Sequence, residues 1–411
     1  APMTDRRKFL LSSIAGLAAA GLPQIAVAAG MQNPVTATAL TEVFGNGMRL
    51  TGVALEYADP REAMSLSPED FAVEGRSVTD VVTATAPDPT TAAPRGRFVL
   101  VLLDPEDAGA QLYRRTGRDV VLDPAQASVT VADSQIATAA THNLLVDAFQ
   151  QRVFTDPENG IVLQYNLFVP PGFDPSRAYP LVNFMHDASL TGKPVTMTLA
   201  QGLGAVVWTR PEEQAERPCF VLAPAFDVEV ANDQSETTGH IDTVKRLIEA
   251  LAQEFPLDRD RLYTTGQSGG GMLSIAMNIK YPDFFAASLL VACQWDAALV
   301  APMAKQPLFI IVAEEDTKAF PGQNAITAAL QAEGASLSRA LWNGRWSATE
   351  FDRASRALLS EGAQVNYTVL KAGTVVPEGA SLEGAAAHMS SWVIAYDIAG
   401  AREWLLAKKK S

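Results

Sequence analysis

The stretch Leu262-Tyr-Thr-Thr-Gly-Gln-Ser-Gly-Gly-Gly-Met272 decides how the rest of the chain is interpreted. A β-prone run enters a Gly-x-Ser-x-Gly turn centred on Ser268, and a helix-compatible run over 272–280 leaves it. A strand, a tight turn and a helix in this order lift a serine above the edge of a sheet. The small residues around it let the strand and helix backbones approach closely. An accidental Gly/Ser loop would lack this flanking pattern, so we interpret Ser268 as a nucleophile.

Length and composition describe an ordinary globular protein. The 411 residues suffice for one large domain and a smaller one, and 48% of them are hydrophobic against 19% charged. The net charge of -14 argues against a nucleic-acid or anionic-membrane partner, because no basic surface offsets it. The sequence carries no signal for a particular oligomeric state.

Residues 1–29 have the pattern of a twin-arginine signal peptide. Arg6-Arg7-Lys8 precedes an apolar stretch over 11–20 and a small-residue site at Ala26-Val27-Ala28. The apolar part is short and interrupted by serine, glycine and proline, so no stable membrane anchor is expected. The pattern predicts export, with the mature protein periplasmic or secreted.

Residues 35–140 are predicted to form a small immunoglobulin-like β-sandwich. Short strands separated by turn residues are expected at 48–57, 78–84, 97–103, 119–122 and 128–131. The segment 136–143 reads as a linker. Because no cluster of titratable residues stands out here, this domain is expected to affect stability or access and to supply no catalytic group.

Residues 143–411 are predicted to form an α/β-hydrolase domain, a mostly parallel eight-stranded sheet flanked by helices. Strands are expected at 145–154, 161–169, 179–185, 219–224, 261–265, 287–293, 308–312 and 366–370. Helices are expected at 241–254, 272–280, 325–331, 350–359 and 392–406. Cys219 and Cys293 fall on strands that are not neighbours, so no disulfide is expected between them.

A serine needs a base and an acid that orients the base. In this fold the chain order is serine, acid, histidine, and His388 alone among the four histidines follows Ser268. Asp316 is the preferred acid because it follows the strand at 308–312, at the sheet edge where catalytic groups gather. Glu314 and Glu315 stand beside it and remain open as alternatives.

The amides of Gly269 and Ala188 are the predicted oxyanion donors. Gly269 opens the helix after the nucleophile, where unpaired N–H groups favour a negative charge. Ala188 lies in the loop after the third strand of the domain, behind a structural His186. Aromatic side chains that could wall a substrate cleft, or pack in the core, are Trp295, Trp342 and Trp346.

Several further segments carry a family resemblance. The runs 165–172 (YNLFVPPG), 179–181 (YPL), 257–263 (LDRDRLY) and 388–392 (HMSSW) together resemble secreted esterases of the poly(3-hydroxybutyrate)-depolymerase-like group, some of which have an immunoglobulin-like N-terminal domain. The resemblance implies carboxylic-ester hydrolysis by Ser268, Asp316 and His388, with no metal or organic cofactor. The chain departs from the group's usual His-Gly after the third strand, where it has His186-Asp187.

The sequence thus favours a secreted serine carboxylesterase acting on short-chain, aryl or polyester substrates, so that the partner is a small-molecule or polymeric ester. Two alternatives stay open. One is a serine peptidase of the prolyl-oligopeptidase type, and the other is a non-catalytic surface-binding protein. Fold alone does not separate these three functions.

Overall fold

The computed structural model describes residues 33–382 and 385–410, and the predicted signal peptide lies outside them. The first third of the described chain is built of strands. They are β1 (Thr36–Phe44), β2 (Gly47–Glu62), β3 (Phe71–Val73), β4 (Val78–Ala84), β5 (Arg95–Leu103), β6 (Tyr113–Thr116), β7 (Asp119–Leu122), β8 (Ser128–Val131), β9 (Ser134–Ala137) and β10 (Ala140–Asn143).

These strands form a five-stranded sheet in the order β10-β1-β2-β5-β4, a three-stranded sheet β3-β8-β9 and the separate hairpin β6-β7. The prediction of a linker at 136–143 is wrong, because β9 and β10 occupy most of this segment. Strand β10 pairs in parallel with β1, from Thr38 opposite Ala140 to Thr41 opposite Asn143. This polar segment has no alternating pattern of its own, so its strand character comes from a distant partner.

Beyond Asn143, strands alternate with helices. The strands are β11 (Phe149–Thr155), β12 (Val162–Phe168), β13 (Tyr179–Met185), β14 (Phe220–Ala225), β15 (Leu257–Gln267), β16 (Ala287–Val291), β17 (Leu308–Ala313), β18 (Leu337–Trp342) and β19 (Val365–Leu370). The helices are α1 (Met197–Ala200), α2 (Leu203–Val206), α3 (Pro211–Glu216), α4 (His240–Glu254), α5 (Gly269–Lys280), α6 (Ala319–Ala332), α7 (Ala348–Leu359), α8 (Ala386–Ala395) and α9 (Ala399–Leu406).

The strands form one mixed sheet in the order β11-β12-β14-β13-β15-β16-β17-β19-β18. Strands β11, β12 and β14 pair antiparallel, and the remaining pairs are parallel. The expected count of eight strands is therefore wrong by one. The additional strand, β18, is a half-exposed edge strand in which Ser338 and Arg339 interrupt the apolar pattern. The predicted single helix at 392–406 is also two helices, α8 and α9.

Buried hydrophobic side chains join the two parts of the chain. One contiguous cluster runs from sandwich residues such as Val53 and Val101 to sheet and helix residues such as Val182 and Trp208. Two further clusters pack the other face of the sheet against α4, α5 and α6. Cys219 and Cys293 are both free and buried. In the described part of the chain, no helix has the length and apolar character needed to cross a membrane.

A buried ion pair fixes the loop after β11 to helix α4. Asp156 is 1% exposed and accepts hydrogen bonds from Arg246 Nε at 2.7 Å and Arg246 Nη2 at 2.6 Å. Thr243 Oγ1 donates a further bond at 2.6 Å. Burial raises the pKa of Asp156, but these donors outweigh it and lower the pKa to about 2. The carboxylate is thus held in its charged form.

Asp156→Asn should remove a pH-dependent part of the stability. A lowered folded-state pKa contributes stability that is complete above the ordinary value and is lost as the pH falls through the folded value. Between about pH 5 and about pH 2 the wild-type chain should lose roughly 2 kcal/mol more unfolding free energy than the variant. Urea unfolding across this range measures the difference, with Glu158→Gln as the exposed control. Parallel pH profiles for wild type and Asp156→Asn would contradict this.

Candidate active site

Ser268 stands between β15 and α5 in a strained conformation. Its φ of 51° and ψ of -119° lie outside the regions that a serine ordinarily adopts. Such a residue costs on the order of 1–3 kcal/mol and persists where its surroundings determine it. Its amide donates to the carbonyl of Val291 on the neighbouring strand β16 at 3.0 Å. This backbone conformation directs the serine side chain away from the edge of the sheet.

Glycines let the backbones around Ser268 touch. A methyl group on Gly270 would lie 1.8 Å from the carbonyl oxygen of Met185, at the end of β13. A methyl group on Gly266 would lie 2.3 Å from the carbonyl carbon of Gly270. Both distances are far inside van der Waals contact, so these positions accept glycine alone. The turn is thus fixed by sequence where β13, β15 and α5 converge.

His388 reaches Ser268 from the first turn of α8. Its Nε2 lies 2.9 Å from Ser268 Oγ. The sequence placed this histidine on a loop of small residues, whereas the described structure begins α8 at Ala386 and holds the ring on a helix. Trp392, one turn further along α8, packs edge-on against the imidazole with ring centroids 5.3 Å apart. The base is therefore held by secondary structure and by an aromatic neighbour.

Asp316 completes the set behind His388. Its Oδ2 is hydrogen-bonded to His388 Nδ1, and its Oδ1 accepts from the amides of Lys318 at 3.1 Å and Ala319 at 2.9 Å. Burial raises the pKa of Asp316, but the bond and charge of His388 together with the two amides give a net lowering. A charged carboxylate at Oδ2 requires the proton of the neutral imidazole on Nδ1, so that the lone pair of Nε2 faces the serine.

The two alternative acids point elsewhere. Glu314 Oε2 accepts from the amide of Ala372 at 2.9 Å, and Glu315 Oε2 accepts from the amide of Gly373 at 3.0 Å. Both glutamates therefore hold the loop after β19. Of the three adjacent carboxylates, the structure brings Asp316 to His388.

The amides of Ala188 and Gly269 lie side by side near Ser268. A methyl group on Gly269 would lie 3.4 Å from the amide nitrogen of Ala188. Within residues 33–382 and 385–410, neither amide has an acceptor. Ala188 opens the short 3₁₀ turn Ala188–Leu190, and Gly269 opens α5. Two unpaired N–H groups beside a serine can stabilise an oxyanion.

His186 supports this loop as a neutral residue. The amide of Phe226 donates to its Nε2 at 3.0 Å, so Nδ1 carries the proton and donates to the carbonyl of Asp187 at 2.7 Å. Burial lowers the pKa of His186, against smaller opposing effects of the Asp187 carbonyl and charge. Its ring therefore fixes the backbone one residue before Ala188.

A residue of the sandwich also reaches the site, which the sequence did not predict. Arg115 on β6 forms an ion pair with Asp187, its Nη2 lying 3.6 Å from Oδ1. The same guanidinium lies over the ring of Trp392, 5.4 Å from its centroid. No local pattern around Arg115 marks it, because Asp187 and Trp392 come from distant parts of the chain.

An apolar recess adjoins the two amides. Besides Ala188 and Gly269, its lining includes Phe226, Glu229, Val230 and Leu273. These side chains come from the loop after β14 and from the second turn of α5. The recess has room for no more than a small group.

Of the three tryptophans that could line a cleft or pack in the core, Trp342 and Trp295 are buried and Trp346 is partly buried. Trp342 packs on Phe309 and Phe351 in the core beneath α7, and the partly buried Trp346 packs on the same Phe351. Strand β18 leads directly into α7, which covers these rings. Trp295 is 8% exposed and belongs to the cluster that includes Met272 of α5, closer to the serine.

Comparison with known proteins gives a family for the N-terminal part and a fold for the whole. Residues 36–147 match the family profile described as "Esterase Ig-like N-terminal domain". No curated protein matches the chain. The chain is similar to the crystal structure of a thermostable esterase, with a TM-score of 0.76, 24% identity, and coverage of 92% of this chain and 100% of that one.

A feruloyl esterase module from Clostridium thermocellum also matches, with a TM-score of 0.44, 13% identity and coverage of 62% of this chain and 87% of that one. The N-terminal part is thus an Ig-like domain of the kind found in esterases, and the chain shares the overall fold of a solved esterase. The predicted combination of an α/β-hydrolase fold with a β-rich N-terminal domain is confirmed at this level.

Gly270→Ala should disrupt the fold at the turn that carries Ser268, whereas Gly269→Ala should be tolerated. The methyl group at Gly270 would overlap the rigid backbone of β13, which should cost at least about 3 kcal/mol of unfolding free energy. At Gly269 the methyl group makes ordinary contact and the helix accepts alanine, so stability should change by less than about 1 kcal/mol. Denaturant unfolding of the two variants compares neighbouring positions in one turn. Equal stability of the two variants would contradict the packing described here.

Proposed function

We propose that this chain is a serine carboxylesterase that hydrolyses esters through a covalent acyl-enzyme. The observation that carries the proposal is the alignment of Ser268 Oγ, His388 and Asp316, with Nε2 at 2.9 Å from the hydroxyl and Nδ1 bonded to a buried carboxylate. A serine hydroxyl becomes a useful nucleophile when a base at this distance takes its proton. The overall fold of a solved esterase and the Ig-like domain family support the same activity class.

The first half of the reaction forms the acyl-enzyme. Ser268 Oγ attacks the ester carbonyl carbon while its proton passes to His388 Nε2. Asp316 stabilises the resulting imidazolium and keeps its Nδ1–H in place. The amides of Ala188 and Gly269 donate to the carbonyl oxygen as it becomes negatively charged. Collapse of the tetrahedral species breaks the bond to the alcohol oxygen, which leaves with the proton from Nε2.

The second half releases the acid. A water molecule gives a proton to Nε2 and attacks the acyl carbon bound to Ser268 Oγ. The same two amides take up the oxyanion charge a second time. Collapse breaks the bond to Oγ, and Nε2 returns the proton to the serine. One ester and one water thus yield one alcohol and one carboxylic acid, with the chain unchanged and no cofactor consumed.

The recess beside the oxyanion amides favours a small uncharged substrate group. Val230, Phe226 and Leu273 offer apolar contacts next to Gly269. We therefore assign short-chain or aryl esters as the first substrate class and polyesters as a further one. The net charge of -14 also disfavours strongly anionic substrates.

Finer parts of this assignment rest on sequence patterns. We assign residues 35–140 to an Ig-like domain and 143–411 to the catalytic domain, within the poly(3-hydroxybutyrate)-depolymerase-like group. The twin-arginine pattern at Arg6 and Arg7 supports export to the periplasm or the medium.

Ser268→Ala should abolish ester hydrolysis while leaving the fold intact. Loss of a nucleophile from such a set typically lowers kcat by about 10⁴- to 10⁶-fold. The measurement compares p-nitrophenyl acetate, butyrate and octanoate with the matching p-nitroanilides, using Ser360→Ala at an exposed position as control. Esters, shortest first, should be hydrolysed far faster than anilides.

Three results would point elsewhere. A folded Ser268→Ala variant that keeps more than a few per cent of the activity would remove Ser268 from the mechanism. Faster hydrolysis of anilides than of esters would favour the peptidase. A folded wild-type chain inert to both series would favour the non-catalytic binding protein.

A further inference from the structure

The hairpin β6-β7 of the sandwich packs against the catalytic part, next to the loop that carries Ala188 (called the oxyanion loop below). Besides the Arg115–Asp187 pair, Lys193 Nζ reaches Asp119 Oδ1 at 2.9 Å in the same interface. The two ion pairs differ in burial. The side chains of Arg115 and Asp187 are 19% and 3% exposed, whereas those of Lys193 and Asp119 are 31% and 73% exposed. The Arg115 pair lies inward, against the site.

Asp187 ties the nucleophile to the oxyanion loop. Its Oδ2 accepts from Gln267 Nε2 at 3.2 Å, and Gln267 directly precedes Ser268. Its Oδ1 accepts from the amide of Ser189 at 3.0 Å, and Asp187 directly precedes Ala188. One carboxylate therefore holds both the turn that carries the serine and the turn that carries an oxyanion donor.

A carboxylate this buried requires a compensating cation. An uncompensated charge in a protein interior costs several kcal/mol, and neutral donors offset part of that cost. Gln267 and Ser189 are such neutral donors, and Arg115 supplies the positive charge. Without it, Asp187 would gain by turning towards water, and its turn would carry the Ala188 amide away from Gly269.

The guanidinium is itself fixed from two sides. Its Nη2 donates to Tyr113 Oη at 3.3 Å, and burial raises the pKa of Tyr113 to about 12, so the phenol stays neutral. The opposite contact is the face of Trp392, whose ring packs against His388. Arg115 thus contacts both Asp187, which holds the loop that carries Ala188, and Trp392, which packs against His388.

We infer that Arg115 of the sandwich is a positioning residue for the hydrolysis, acting through Asp187 on the Ala188 amide, while its contact with Trp392 holds the guanidinium in place. This inference rests on the proposed function. It also replaces the expectation that the sandwich serves stability or access alone. Since oxyanion contacts strengthen in the transition state, loss of Arg115 should lower kcat and leave KM nearly unchanged.

The test is a double-mutant cycle on the full chain with p-nitrophenyl acetate. Arg115→Met should lower kcat about 10- to 100-fold with KM within about threefold, and Arg115→Lys should recover part of the loss because it keeps the charge. In an Asp187→Asn background, Arg115→Met should change kcat by no more than about threefold, because no buried charge remains to be compensated. Lys193→Met is the matched control, and its kcat should stay within about twofold of wild type.

A fluorophosphonate provides a second readout that needs no ester turnover. It phosphonylates an activated serine with loss of fluoride, and mass spectrometry follows the rate at Ser268. Arg115→Met should slow labelling by a factor similar to that in kcat. If that variant does not fold, Arg115→Lys in the wild-type and Asp187→Asn backgrounds provides the same cycle.

The outcomes separate the two claims. A wild-type chain that reacts with neither probe overturns the proposed function, and this inference with it. A reactive wild type overturns the inference alone if the Arg115 variants keep full kcat, lose activity through KM, or lose it equally in both Asp187 backgrounds. An equal loss of kcat in Lys193→Met would mean that Arg115 acts only through packing at the interface. That result would also overturn the inference.

Discussion

The positive φ of Ser268 holds its hydroxyl where His388 Nε2 reaches it. A φ of 51° at a serine is unfavourable, and three features of the surroundings impose it. Strand β13 presses its last carbonyl against Gly270, β16 holds the amide of Ser268, and α5 must begin at once. The packing of a large core thus maintains one partly buried hydroxyl in a position that a flexible loop could not keep.

The supports of this site come from elements that are far apart in the sequence. Asp316 follows β17, His388 lies in the first turn of α8, and Ala188 follows β13. Parallel strands bring their carboxyl ends to one edge, so that short loops suffice to gather these groups. The buried carboxylate of Asp187 extends this arrangement to the sandwich, because in the described part of the chain its ion pair is formed with Arg115 of β6. The Ig-like domain is in this view part of the site's electrostatics.

The sequence predicted the features that are marked by a local motif or by their order along the chain. Ser268 has its glycines, His388 has its place in the chain order, and Asp316 has the end of an apolar strand. Features that depend on distant partners were missed. Strand β18 is a half-exposed edge without a clean pattern, and β10 exists because β1 pairs with it. Arg115 looks like any surface arginine until the fold brings Asp187 and Trp392 to it. Trp342 resembles a cleft residue in sequence because aromatic residues serve cores and clefts alike.

The proposed mechanism requires that Ser268 becomes covalently acylated during turnover. The most direct measurement mixes the wild-type chain rapidly with p-nitrophenyl acetate, quenches with acid within the first turnover, and maps the acetylated peptide by mass spectrometry. The account predicts an initial release of p-nitrophenol of at most about one equivalent per chain, matched by acetyl on Ser268. Ester turnover with no acetyl on Ser268, or with acetyl on another residue in its place, would contradict it.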